Sequence, residues 1–248
     1  MSCSHKKLYV IFPAAGSGTR MKSDKNKLLM EVDGVTVIDR TLTAFKKYAE
    51  KNDVSIYCTL VVTPGKVDEW KSYVSAKDYA SVIVNITEGG DTRTKSVGNG
   101  VFSLKNSDMS APADDEPVFI HDAARCLIDT DSIARCFDAI TEDGTDVCVS
   151  GVKTKNTIKM VKSGTTIVES TPNRDLLYEV QTPQCFKYKV LKECYEKAVD
   201  EGYEATDDTA LAEHYGYKVR IVEGSYANIK ITTPEDIAIA EALLKNMQ

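Results

Sequence analysis

The stretch LYVIFPAAGSGTRMKSDKNK, Leu8–Lys27, runs from an apolar segment into a glycine loop carrying several cations. Leu8–Ala14 reads as a buried strand, a short continuous apolar run closed by Gly16 and Gly18. Two well-known loops begin this way, and both fail here. In G-x-G-x-x-G the third glycine position falls on Met21, and no acidic residue ends the next strand where a dinucleotide ribose would need it. An NTPase loop requires Gly-Lys-Ser/Thr five residues after Gly16, where the chain has Met21-Lys22-Ser23. What remains is a strand, a glycine bend and two candidate cations, Arg20 and Lys27. Glycines let backbone N–H groups approach phosphate oxygens. A fixed Arg and Lys could then offset charge developing at a phosphorus atom under attack. The plainer alternative is a tight turn with solvated basic side chains.

Outward from this loop, strand-like and helical runs alternate. Val35–Tyr48 has helical spacing, and Ile56–Val62 is a β-branched run closed by the Thr63-Pro64-Gly65 turn signal. Val82–Ile86 and Val118–Ile120 read as strands, Ser132–Ile140 as a helix and Asp146–Val152 as extended. Leu191–Val199 and Thr209–Tyr215 are helical, Val219–Val222 is a strand, and Asp236–Leu244 is a last helix with Thr233 as N-cap and Pro234 at its first position. This alternation predicts an α/β fold: a single domain spanning residues 1–248, its mostly parallel sheet covered by helices on both faces. Ligands of such sheets sit beyond the carboxyl ends of the strands. Lys153–Arg174 breaks the pattern and reads as a β-hairpin about Lys162-Ser163-Gly164, inserted in the domain. An isolated hairpin is marginal in water, so it is expected to be either a surface flap or an arm reaching another subunit.

The 248 residues are 42% hydrophobic and 27% charged, ordinary for a globular protein. A net charge of −6 argues against a protein that coats nucleic acid, though not against a small polyanionic substrate. There is no spanning apolar stretch, and MSCSHKK lacks the apolar core of a signal peptide, so a cytoplasmic protein is expected. The seven cysteines show no C-x-x-C spacing and are expected to be reduced thiols, with no protein metal site among them.

Three further stretches end strands. EGGDTRTKSVGNG (Glu88–Gly100) brings Gly89 and Gly90 where backbone could approach a flat base. FIHDAAR (Phe119–Arg125) supplies Asp122 to orient hydroxyls and Arg125 to fork onto phosphate. NIKITTPED (Asn228–Asp236) sets Lys230 in what reads as a short strand, where an inward ammonium needs an anionic partner. Each alone has a structural explanation; together they would gather at one end of one sheet. Asp207-Asp208 reads as helix capping rather than metal ligation, and His121 as a hydrogen-bonded strand-end histidine or an acid–base group. The single tryptophan, Trp70, is expected to pack locally.

PAAGSGTRM, GGDTRTKSV, HDAAR, NTIK, NR followed by QTPQ, TDD and NIKITTPED, in this order between Leu8 and about Leu244, resemble the 2-C-methyl-D-erythritol 4-phosphate cytidylyltransferases. The resemblance implies a Rossmann-like domain with a protruding β-hairpin arm, a homodimer joined through the 153–174 arm, and transfer of CMP from CTP to a sugar-alcohol phosphate with a divalent metal, Mg²⁺, held mainly by the CTP phosphates. It assigns Arg20 and Lys27 to stabilising the pentacoordinate α-phosphorus, and Arg174 and Lys230 to aiming the acceptor phosphate. Ala14, Ala15, Gly16 and Gly18 would line the nucleotide, Gly90, Asp91 and Ser96 would read cytosine, and Ala123 would touch the ribose. Asp122, Arg125 and Thr182 would hold the acceptor, with Thr157 and Arg174 reaching it from the other subunit. Four positions depart from the family pattern. Asn26-Lys27-Leu28 replaces Pro-Lys-Gln, Cys126 replaces the proline after HDAAR, and Asn156 replaces the Asp before Thr157. Ribitol-5-phosphate cytidylyltransferases share the loop, QTPQ and NIKITTP, and Arg174-Asp175 with Tyr178 looks mixed between the two. A non-catalytic nucleotide-binding regulator and, more remotely, an NAD-dependent dehydrogenase are the readings of another class.

Overall fold

The computed structural model describes residues 6–16 and 26–247. Along the chain run β1 (Lys6–Pro13), the ribbon strands β2 (Glu31–Val32) and β3 (Val35–Thr36), α1 (Val37–Asn52), β4 (Val54–Val62), α2 (Val67–Ser75) and β5 (Ile83–Glu88). There follow α3 (Arg93–Phe102), β6 (Pro117–Ile120), α4 (Thr130–Thr141), β7 (Val147–Lys153), β8 (Met160–Val161) and β9 (Val168–Ser170). The chain closes with β10 (Tyr178–Lys187), α5 (Tyr188–Glu201), α6 (Asp208–His214), β11 (Val219–Glu223) and α7 (Pro234–Lys245).

Seven strands form one sheet in the order β11-β7-β10-β6-β1-β4-β5. Every pair is parallel except those of β10, which runs antiparallel to both β6 and β7. The α/β expectation therefore holds, with one reversed strand that the sequence reading had not assigned. β1 is central, and side chains on a strand alternate between faces. Leu8, Val10 and Phe12 enter a core with α1, α2, α4 and α7, while Tyr9 and Ile11 enter a second core with α3, α5 and α6. All five are fully buried, which explains why the segment is apolar throughout rather than alternating.

Helix starts follow the local chemistry. Thr36 Oγ1 accepts the Asp39 N–H (3.2 Å) at the start of α1, and Asp129 accepts the Ser132 N–H (2.6 Å) at the start of α4. At α7, Pro234 occupies the first position and Asp236 reaches back to the N–H groups of Thr232 and Thr233. Trp70 is buried against Tyr73 at 5.6 Å in the first core. The 153–174 segment forms a short two-stranded ribbon, β8 with β9, turning at Gly164 in the left-handed region (φ 73°). Its strands are briefer than the hairpin reading implied, and they pair with each other rather than with the main sheet.

From β1 the chain builds outward through β4 to β5, then crosses back to lay β6 on the other side of β1. The strand order thus reverses between β1 and β6, and the crevice beyond their carboxyl ends is where an open α/β sheet receives its ligand.

Candidate active site

At that crevice lies a cavity of about 400 Å³. Its walls are the turns after β1, β5 and β6, with Lys27 on one side and Lys230 on another. Ala14, Ala15, Gly16, Gly90, Asp91, Ser96, Asp122 and Ala123, all expected at the site, line it together with the two lysines. Gly18 and Arg20 lie outside the described residues. Thr157 and Arg174 are exposed on the arm and do not line their own chain's cavity; Arg174 instead donates to the Lys155 carbonyl (3.3 Å).

The turn after β1 and the turn after β5 are in van der Waals contact, and this is why Gly89 is a glycine. A Cβ there would sit 2.7 Å from Ala15 Cβ and 2.8 Å from Ser96 Oγ. Ser96 closes the same turn: its Oγ accepts the Gly90 N–H (3.0 Å) and lies 2.8 Å from the Thr92 carbonyl, to which it donates. The hydroxyl is thus a brace that holds Gly90 backbone at the cavity wall. Asp91 pairs with Lys95 at 2.9 Å on the exposed rim. Lys27 begins a 3₁₀ turn, Lys27–Leu29, whose cap is Asn26: its side chain accepts the Leu28 N–H (3.0 Å) at φ −59°. That dihedral is proline-like, so Asn26 reproduces by an Asx bond the restriction that a proline imposes by its ring. Leu28 anchors the turn in the core.

Charge is concentrated after β6. Asp122 is deeply buried and accepts from Arg125 Nε (3.2 Å) and Lys230 Nζ (3.0 Å). Burial alone would raise its pKa, but the two cations, Lys230 foremost, outweigh it and hold the carboxyl down at about 2. Arg125 also donates to the Asn228 carbonyl (2.8 Å). With its side chain 13% exposed, it serves here to bind the turn together rather than to line the cavity. Asn228 is fully buried and donates to the Thr182 carbonyl (2.8 Å), tying the Lys230 segment to β10. Thr182 is itself buried, its Oγ1 accepting the Asp122 N–H (3.0 Å) and contacting His121 Nδ1 (3.1 Å). These bonds put Thr182 beneath the cavity, where it orients Asp122.

Three expectations are sharpened or corrected. Lys230 is not in a strand: Asn228–Thr232 joins no sheet and is held to the turn after β6 by the Ile231 N–H on the Ala124 carbonyl (2.9 Å) and by Arg125 on the Asn228 carbonyl. His121 is a buried positioning group, its Nε2 against the Arg125 carbonyl (3.3 Å), and burial lowers its pKa to about 4. Asp207 caps α6 by accepting the Ala210 N–H (2.7 Å), as expected, whereas Asp208 turns inward to Arg93. Arg93 and Asn228 are site residues that the sequence alone does not single out. Their partners lie 115 and 46 residues away, beyond any local signal. Among the described residues no cluster of three or more His, Cys, Asp or Glu side chains could hold a metal ion. No helix of the described residues is long and apolar enough to cross a membrane.

A glycine-walled cavity at the switch point, flanked by two lysines, is built to take an anionic ligand against backbone. The model of the 2-C-methyl-D-erythritol 4-phosphate cytidylyltransferase family matches residues 8–246. The chain belongs to that family. The 2-C-methyl-D-erythritol 4-phosphate cytidylyltransferase of Nostoc punctiforme is 39% identical over 237 residues, covering 96% of this chain and 98% of the relative. That of Clostridium novyi is 36% identical over 244 residues, covering 96% of each. Among solved structures, 4-diphosphocytidyl-2C-methyl-D-erythritol synthase from Anaerococcus prevotii is 30% identical with a TM-score of 0.79, over 97% of this chain and 99% of that one. The cytidylyltransferase from Thermus thermophilus is 29% identical with a TM-score of 0.72, over 96% and 99%. As a family member the protein is a nucleotidyltransferase, and the cavity between β1 and β6 is its candidate active site.

Proposed function

We propose that the protein transfers CMP from CTP to 2-C-methyl-D-erythritol 4-phosphate in the cytoplasm, releasing pyrophosphate for isoprenoid precursor synthesis. The observation that carries this reading is the shared cavity of Lys27, Lys230 and the Gly16 and Gly90 turns, in a chain of this family. CTP would lie with its base against Gly90, Asp91 and Ser96, its ribose at Ala123, and its triphosphate along Ala14–Gly18. The acceptor phosphate attacks the α-phosphorus in line as pyrophosphate departs. A phosphate monoester is already largely dianionic near pH 7, so no general base is required. The rate comes from holding two anions in line and offsetting charge at phosphorus, with Arg20 and Lys27 in that role and Lys230 aiming the acceptor.

The cavity offers two carboxylates, Asp91 and Asp122, and Asp122 already balances two cations. Such a set suits Mg²⁺ bound chiefly through phosphate oxygens and water, with Asp122 as the protein carboxylate that would help to hold it. When bound with the triphosphate, the ion would draw charge from the reacting phosphoryl oxygens. We also infer a homodimer in which the arm carries Thr157 and Arg174 to a second copy's cavity. The arm exposes Ile158, Met160, Ile167 and Val168, apolar side chains that are about half open to solvent on their own chain.

The deciding experiment is an acceptor-by-nucleotide matrix with pyrophosphate detection. Turnover should require CTP with methylerythritol phosphate. Preference for ribitol 5-phosphate would move the protein to that acceptor, and no pyrophosphate with any pair would leave a binding protein.

A further inference from the structure

Behind the cavity wall, residues of four elements assemble one ion pair. Arg93, in the first turn of α3, donates from Nη1 and Nη2 to both oxygens of Asp208 (2.8 and 2.5 Å). The Asp208 side chain is fully buried on α6 and also accepts from Tyr195 OH (2.5 Å) on α5. Gln184 of β10 fixes the carboxylate's backbone, its Oε1 accepting the N–H groups of Asp208 and Thr209 (2.8 and 3.0 Å). A buried ion pair is a poor device for stability alone, since apolar side chains of similar volume do as well or better. What this one provides is direction. Arg93 is one-third exposed and lines the cavity. Of its five N–H groups, two are spent on Asp208. Its Nε–H and the outer hydrogens of both Nη atoms have no partner among the described residues.

We propose that Arg93 is a substrate-contacting residue that donates to the cytidine portion of the nucleotide, with Asp208 and Tyr195 as positioning residues behind it. This deepens the cytidylyl-transfer reading and rests on it. Two features assign Arg93 to the nucleoside rather than to phosphate. It belongs to the same turn as Gly90 and Ser96, two residues from the wall where the base would lie. Its charge is matched one-to-one by Asp208, so it offers the cavity directed donors and little net field. The Asp122 cluster, by contrast, sets two cations on one carboxylate and retains the surplus positive charge that phosphate needs.

The test compares binding of CMP and of inorganic pyrophosphate by calorimetry, with thermal melts of each variant. Arg93→Lys keeps the charge opposite Asp208 but loses the planar fork. It should weaken CMP by ten- to a hundredfold and leave pyrophosphate within twofold. Tyr195→Phe removes the rear hydrogen bond without unpairing a charge, and should weaken CMP severalfold with pyrophosphate unchanged. That variant carries the test if Arg93→Lys loses its cooperative melt. Unchanged CMP affinity in both variants overturns the assignment, as does a parallel loss of CMP and pyrophosphate. A wild-type protein that binds neither CMP nor CTP overturns the cytidylyl-transfer reading itself, and this inference with it.

Discussion

Replacing His121 with asparagine should flatten the loss of stability that the protein undergoes between pH 7 and pH 5. The imidazole is completely buried between Phe12 and Phe45, with its nitrogens committed to the Arg125 carbonyl and Thr182 Oγ1. Burial disfavours the charged form and sets the folded pKa at about 4, against about 6.5 for an unfolded histidine. The unfolded chain therefore binds the extra proton first. Stability is full above the unfolded value and falls as pH drops from about 6.5 towards about 4. Linkage over those two values gives a loss of about 2 kcal/mol from pH 7 to pH 5. The depressed carboxylates, Asp39, Asp91, Glu116, Asp122, Glu193, Glu235 and Asp236, interfere little, because their contributions are lost mainly below their unfolded values near 4. Asparagine can keep a partner for Thr182 but cannot titrate. Urea unfolding at pH 7, 6 and 5 and constant ionic strength measures the slope, provided m is unchanged. His121→Asn will be less stable at every pH, and its curve should be nearly level. An asparagine variant that loses as much stability as wild type over this interval would refute the reasoning, because the titrating group would then lie elsewhere.

Other consequences follow from single contacts. Lys27→Ala and Lys230→Gln should each lower kcat by about a hundredfold, the usual effect of removing one charge-stabilising donor, with smaller changes in KM for CTP; steady-state pyrophosphate release reads both, and unchanged turnover would remove that lysine from the chemistry. Gly100→Ala should destabilise, because the added methyl meets Ile11 Cγ2 at 2.7 Å and Val61 Cγ2 at 2.8 Å, both in a fully buried layer. Overpacking of about 1–3 kcal/mol outweighs a helix-propensity gain of at most about 1 kcal/mol, and a thermal melt at or above wild type would contradict it. Asn26→Pro should be tolerated within about 1 kcal/mol, since reduced unfolded-state entropy offsets the lost Asx bond at a φ of −59°. A large fall in turnover with the melt unchanged would mean that the Asn26 side chain itself touches substrate.

The parts of this molecule that were legible in sequence are those where backbone satisfies backbone. β1 announces itself because five successive side chains are buried on two faces, and the Gly89-Gly90 turn because close approach excludes a Cβ. β10 was missed for the opposite reason. Its centre is Gln181-Thr182-Pro183-Gln184, a polar sequence with a proline that argues against a central strand. Yet Gln181, Thr182 and Gln184 are all buried. Each is consumed by a specific partner: Gln181 donates to the Ser225 carbonyl, Thr182 holds Asp122, and Gln184 holds the start of α6. Lys230 was misread in the same way. The alternation Ile229, Lys230, Ile231 suggests a strand, but the segment joins no sheet and is held instead by the Ile231 N–H on the Ala124 carbonyl and by the Arg125 guanidinium on the Asn228 carbonyl. Both misreadings fall where side chains serve as the partners of buried polar groups, β10 beneath the cavity and the Lys230 segment at its wall. That coincidence has a physical cause. A site that must fix carboxylates and cations from distant segments spends its hydrogen bonds on long-range pairs, which no local pattern encodes. Buried polar residues that spoil a strand pattern therefore mark the floor of this site as clearly as the glycines mark its walls.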